Sequence, residues 1–304
     1  MSETTWQSWQ NRLLIGVMRL ATLRRKPMRS GYRGIRRTLE MSGQRLRPAR
    51  DVRWTELQVG DVPAEWVEAP GVRHDRGLLY LHGGGYVSGS RASHRGLTGE
   101  LSRAANMRVL AIDYRLAPEH PFPAGLDDAV AAYEWLLAQG LTPAQVAIGG
   151  DSAGGGLTMA TLLSLRERGL PQPAVAVCLS PWVDLETAGE TMRTHAHLDP
   201  MLQPVGFPML ARHYVGEAGD LRHPLVSPIH AELSGLAPLL VQVGSREVLL
   251  DDARRLVARI SAAGGRAELE VWTHMVHVFQ IFGFLPEARR AVARLGGFIR
   301  RHTD

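Results

Sequence analysis

The sequence predicts an α/β fold: a mostly parallel central sheet with helices on both faces. Three observations lead there. The runs "GLLYLHGGG", "RVLAIDYR", "VAIGGDS" and "AVAVCLSPW" are apolar without polar alternation, which is the pattern of strands covered on both sides. Helix-prone stretches separate them one by one, as crossover connections between parallel strands require. The 304 residues, 45% hydrophobic and 21% charged, can bury a substantial core and do not have the composition of a disordered chain.

The first fifty residues are basic. They hold twelve Lys or Arg and two acids, a balance of +10, so the remainder sums to −5 within an overall +5. Trp6, Trp9, Leu13, Val17 and Leu20 recur at helical spacing, which predicts a helix that docks this face onto the protein and turns a basic face to solvent. The run "LLIGVM" is too short to span a bilayer and no small-residue cleavage site follows it. A cytoplasmic protein is therefore expected, with no nucleic-acid partner and with membrane contact only a secondary reading of the basic segment. The single cysteine, Cys178, lies in an apolar run; it excludes an intrachain disulfide or a cysteine-based metal cluster and belongs in the core.

Next, "VRWTELQVG" and "VPAEWVEAP" alternate around "DV" as the two strands of a hairpin. The strand and helix series follows, with helices at "GLDDAVAAYEWLLAQG" and "LTMATLLSLRERG". Between about 185 and 225 the alternation lapses, and this insertion falls where loops of a parallel sheet shape a ligand site. Trp182 and the insertion's Met201, Phe207, Met209 and Leu210 either line that site or simply pack. The series resumes with "LLVQVGS", the helix "DDARRLVARISAAG", the strand "AELEVW" and a closing helix "PEARRAVARLGGFIRR".

The chemistry is carried by "GGDSAGG", residues 149 to 155. It contains G-x-S-x-G, with Ser152 between an entering strand and a leaving helix, the context of a nucleophile elbow. A phosphate loop would require a lysine that this stretch lacks. Acyl transfer also needs amides aimed at a developing oxyanion. Gly83, Gly84 and Gly85 of "HGGG", with Ala153 after the serine, are the candidates. A serine hydroxyl needs a base, and a histidine held by a carboxylate supplies one near neutral pH. His277 follows the last strand, with His274 the nearby rival. The acid follows "LLVQVGS": Glu247 is in the loop, whereas Asp251 and Asp252 stand where a helix begins and carboxylates cap or meet the helix dipole.

"HAH" at 195 to 197 with Asp199 offers two imidazoles and no clear third ligand, so neither metal nor cofactor is expected. Asp113, Tyr114 and Arg115 are expected to fasten the loop after their strand.

The segments "HGGGYVSGS", "DYRLAPEHPFPA", "GDSAGGGL", "SPWVDL", "DPML", "VGSREVLLDDA" and "HVFQIF" occur in order from about residue 77 to the end. In these the chain resembles the hormone-sensitive-lipase-like branch of the α/β-hydrolases, bacterial esterases that include acetyl hydrolases and monoterpene lactone hydrolases. The resemblance implies an α/β-hydrolase domain over 51–304 and a helical cap built from residues 1–50 and the 185–225 insertion. It further implies a triad of Ser152, Glu247 and His277 below that cap, and homodimers paired through a sheet edge. Arg246 is a departure, since similar sequences often have Asp there. The expected function is hydrolysis of a small-molecule ester with a short or medium acyl chain through an acyl-enzyme. The alternatives are a lactone hydrolase, a small-molecule deacetylase, or a non-catalytic receptor. A base that must be neutral predicts activity falling through roughly pH 6 to 7.

Overall fold

The computed structural model describes residues 7–23, 31–45 and 50–304. Two helices, α1 (Trp9–Leu23) and α2 (Gly31–Arg45), precede the hairpin of β1 (Arg53–Val59) and β2 (Val62–Glu68). Then β3 (Arg73–Leu81), α3 (Arg91–Ala105), β4 (Met107–Ile112), α4 (Ala124–Ala138), β5 (Val146–Asp151), α5 (Ala153–Glu167) and β6 (Val175–Leu179) alternate. The insertion contributes α6 (Thr191–Thr194) and α7 (Phe207–Val215), after which β7 (Leu239–Gly244), α8 (Leu250–Ala262), β8 (Ala267–Trp272) and α9 (Pro286–Thr303) complete the chain.

Among the described residues the strands form one eight-stranded sheet in the order β1-β2-β4-β3-β5-β6-β7-β8. Only β2 runs against its neighbours; β3 through β8 pair in parallel. Side chains alternate across a strand, so β3 sends Leu79 and Leu81 to one face and Leu78 and Tyr80 to the other. The first face packs on α4, α5 and α8 through Leu126, Leu157 and Leu256, the second on α3 and α9 through Leu97 and Leu295. Both faces are thus dry, which is why the strands read as unbroken apolar runs. Cys178 is fully buried between them.

The helix α1 corrects an expectation. Its predicted docking face is turned to solvent: Trp9, Leu13, Val17 and Leu20 are 70%, 60%, 56% and 61% exposed. Trp6 lies outside the described residues. The buried face is instead Ser8, Asn11 and Ile15, with Leu14 and Met18 packed against Trp272, Met275, Phe279 and Leu285. Polar contacts fix this rotation. The Ser8 amide and hydroxyl donate to the two oxygens of buried Glu287 at 2.6 and 2.9 Å, and Asn11 Nδ2 donates to the His274 carbonyl at 3.2 Å. A buried carboxylate requires such donors, whereas periodicity alone counts apolar residues and cannot see them.

Helix α2 anchors differently. Arg36 donates to the carbonyls of Val87 and Ala117 and pairs with Glu119 at 2.6 Å, while the Ser90 hydroxyl donates to Glu40 at 2.7 Å. It therefore grips the far side of the loop that follows β3. Phe207 of the insertion is a core residue in edge-to-face contact with buried Trp182 at 5.0 Å, and the insertion's Tyr214 stacks on Tyr86 at 3.8 Å.

Candidate active site

The carboxyl ends of β3, β5, β6, β7 and β8 lie side by side, the place where parallel sheets hold ligands. Ser152 sits at the tip of β5 with φ 54° and ψ −121°, a conformation costly for a residue with a side chain. The neighbours over-determine it. Its amide donates to the Leu179 carbonyl at 2.8 Å, and its carbonyl accepts from Trp182 and Gly156 at 2.9 and 3.1 Å. A Cβ at Gly154 would collide with the Leu81 carbonyl, so only glycine lets α5 leave the strand this sharply. The serine is partly exposed while the residues on either side are buried.

Glu247 and His277 are brought together. The carboxylate is fully buried in the loop after β7, and its Oε2 lies 2.8 Å from His277 Nδ1. Its Oε1 accepts from the Ser180 hydroxyl at 2.7 Å and from the Gly244 amide at 2.5 Å. A carboxylate that only accepts places the proton on Nδ1 and leaves Nε2 as the basic nitrogen. Burial disfavours the charged ring, yet the hydrogen bond and charge of Glu247, with the charges of Asp199 and Asp151, raise the His277 pKa above 6.5.

The rivals are engaged elsewhere. Asp251 accepts from the Glu190 amide at 2.8 Å, and Asp252 from the amides of Val183 and Asp184 at 3.0 and 3.1 Å. His274 has φ 65° and takes part through its backbone, donating to Ser245 Oγ at 2.8 Å. The Asp199 carboxylate accepts from the amides of Met201, Leu202 and Val248 at 2.9, 3.0 and 3.1 Å. It therefore ties the insertion to the loop of Glu247 and is not turned toward a metal with His195 and His197. The ligand atoms of Asp184, Glu186 and His230 do lie within 4.8 Å of one another. Arginine already neutralises two of these groups, Arg255 on Asp184 at 2.7 Å and Arg222 on Glu186 at 3.5 Å.

The glycine loop needs one correction. The Gly83 amide donates to Asp151 Oδ1 at 3.0 Å, so it is not free to meet an oxyanion. Among the described residues nothing accepts from the amides of Gly84, Gly85 or Ala153. Gly84 and Gly85 adopt φ 132° and 63°, and Leu210 of α7 lies against Gly85, 2.9 Å from where a Cβ would stand.

Below this loop is a buried polar cluster that sequence reasoning did not assign. Asp151 accepts from Tyr80 Oη at 2.7 Å and lies 3.3 Å from His94 Nε2. Burial opposes both charges, but Asp151 raises the His94 pKa and His94 lowers that of Asp151. His82 behaves oppositely: burial, with the charge of His94, lowers it to about 4. It is neutral, its Nδ1 donating to the Gly83 carbonyl at 3.0 Å. Tyr114 stacks on its ring at 4.3 Å and donates to its carbonyl at 2.7 Å. Asp113 and Arg115 serve the same anchoring, through Arg91 at 2.8 Å and Asp128 at 2.7 Å. Ser180 also went unassigned; a hydroxyl ending the apolar strand β6 beside the elbow was the available signal. Ser152 bonds its neighbour Leu179, and Ser180 receives the Val278 amide at 3.2 Å, so the elbow and the imidazole loop share one bridge.

Comparison with known proteins places the chain. Residues 78–281 match the model of a family described as having the alpha/beta hydrolase fold. An acetyl-hydrolase of Streptomyces hygroscopicus is 48% identical over 81% of this chain and 82% of its own. The chain belongs to the hormone-sensitive-lipase-like branch of the α/β-hydrolases. A solved esterase of the bacterial branch superposes on this hydrolase with a TM-score of 0.93 at 48% identity, covering 99% of this chain and 100% of the other. A putative acetyl-hydrolase of Mycobacterium tuberculosis is 36% identical over 92% of this hydrolase and 95% of its own length. The chain is an enzyme of the carboxylic ester hydrolase class.

Proposed function

We propose that this hydrolase cleaves small-molecule esters of short or medium acyl chain by a two-step acyl transfer on Ser152. The observation that carries the reading is the 2.8 Å contact of buried Glu247 with His277 at the sheet end where Ser152 is presented. Nε2 of His277 takes the Ser152 proton as Oγ attacks the carbonyl carbon; the C=O π electrons move to oxygen, which the amides of Gly84, Gly85 and Ala153 receive. The protonated ring then gives that proton to the departing alkoxide as the carbonyl reforms. Water, deprotonated by the same nitrogen, attacks the acyl carbon; as the tetrahedral intermediate collapses the C–Oγ bond breaks, the protonated ring returns the proton to Ser152 Oγ, and the acid leaves. No step needs a metal or a redox cofactor.

In this reading residues 1–50 and the 185–225 insertion cap the site, and α7 supplies Leu210 at its wall. The short-chain preference is supported by that wall and by the acetyl-hydrolase names of two relatives. A solved relative soaked with p-nitrophenyl butyrate, 43% identical with a TM-score of 0.92 over 98% of this chain and 99% of that one, supports it further. Pairing of two copies through the outer edge of β8 belongs to the same reading. A panel of p-nitrophenyl esters from acetate to palmitate, assayed on wild type and Ser152→Ala, tests it. We expect turnover highest at or below the medium-chain esters and a loss of at least about 10³-fold in the variant. Serine-independent turnover, or a preference for palmitate, overturns it.

A further inference from the structure

Among the described residues the apolar stripe of α1 has no protein partner, and its composition states what it fits. At about 100° per residue, Trp9, Leu13, Val17 and Leu20 fall within an arc of about 80°. All are more than half exposed. Arg12 and Arg19, both exposed, border the stripe on one edge, and Ile15, Asn11 and Met18 occupy the opposite side, against the protein. The helix contains no acid. An exposed apolar stripe edged by arginine, with tryptophan at one end, is the pattern of a helix lying in the plane of a lipid interface.

We propose that α1 seats this enzyme on the surface of an anionic lipid bilayer, its outer face in the headgroup region. Charge decides between lipid and a second copy of the chain. α1 carries Arg12 and Arg19 and no acid; a two-fold dimer through α1 would set those charges against their copies, whereas anionic headgroups complement them. One further exposed apolar residue continues the surface: Phe284, 50% exposed, contacts Phe282, which packs on the cluster that receives α1. The inner face of α1 holds the carbonyl of His274, three residues before His277, so the docked helix brings the imidazole loop beside the lipid. No helix among the described residues is long and apolar enough to cross a membrane; the contact is peripheral.

The test is sedimentation of the full chain with vesicles of phosphatidylcholine plus phosphatidylglycerol, against phosphatidylcholine alone, with size-exclusion chromatography alongside. Wild type is expected to bind the anionic vesicles preferentially, and added salt to weaken that preference. Leu13→Glu with Val17→Glu should lower binding at least about tenfold, and Arg12→Gln with Arg19→Gln about fivefold per arginine. The circular dichroism spectrum and urea midpoint should be unchanged in both variants, which separates lost lipid binding from misfolding, and Ser152→Ala should bind the anionic vesicles like wild type, which separates this proposal from the proposed ester chemistry. No binding to anionic vesicles, equal binding by the Leu13/Val17 variant, or conversion of a wild-type dimer to monomer by that variant overturns the proposal.

Discussion

Glu247 spends both oxygens on three donors, and the consequence appears in the proton affinity of His277. Its pKa lies above 6.5 because Glu247, Asp199 and Asp151 outweigh burial. In the proposed mechanism His277 works as a general base only when neutral, so turnover should fall as pH falls through that raised value, and the acid limb of kcat/KM is expected on the alkaline side of the ordinary histidine value of 6.5. The stability linkage runs the other way. A raised folded-state pKa contributes stability fully present below the unfolded value and lost as pH rises through the folded one. In Glu247→Gln burial dominates, so the limb should move acidward and kcat fall on the order of 10²- to 10⁴-fold; a pH–rate series on both proteins checks this. Asp151 stands one residue before Ser152, the nucleophile of the proposed mechanism. Asp151→Ala frees the Gly83 amide and leaves buried Tyr80 and His94 without their shared acceptor; burial then holds the His94 ring neutral, and the unsatisfied groups should cost about 1 to 3 kcal/mol in urea unfolding. Its kcat should fall about 10²-fold with little change in KM.

The elbow between β5 and α5 is constrained by backbone against backbone. Gly154 faces the Leu81 carbonyl and Gly84 the Ser88 carbonyl, and neither neighbour can rotate away as a side chain could. Gly154→Ala is expected to destabilise by about 1 to 3 kcal/mol and to lower kcat beyond what stability explains, measured by denaturant midpoint and turnover together. Helix α7 meets the site by a softer contact, Leu210 on Gly85. Leu210→Ala should enlarge the acyl side and shift the preferred p-nitrophenyl ester toward longer chains; an unchanged profile would place that wall elsewhere.

Over the whole molecule, residues before β1 touch the site from two directions. α2 holds the loop after β3 through Arg36, and α1 holds the loop after β8 through Asn11. Removing residues 1–50 should therefore lower kcat/KM on short esters and also lower Tm, since Trp272, Met275 and Phe279 lose the cover of Ile15; circular dichroism and ester assays on the truncated chain would show both. The sheet and elbow were legible because unbroken apolar runs and glycine spacing are local signals. Glu247 and His277 were legible as strand-following loop residues. The facing of α1 was not, since it depends on Glu287, 279 residues away from Ser8. The Gly83 amide was not either: its partner Asp151 is 68 positions distant, and pairing across strands leaves no periodic trace. That last bond joins the glycine loop to the residue before Ser152, so in the proposed mechanism the attacking oxygen and the amides that receive charge belong to one stiff unit. Leu210, on a separate segment, does not. Descendants of this chain can thus drift in what they accept without disturbing how they cut, and substitutions that diversify taste should accumulate on α7 long before any appear beneath the glycines.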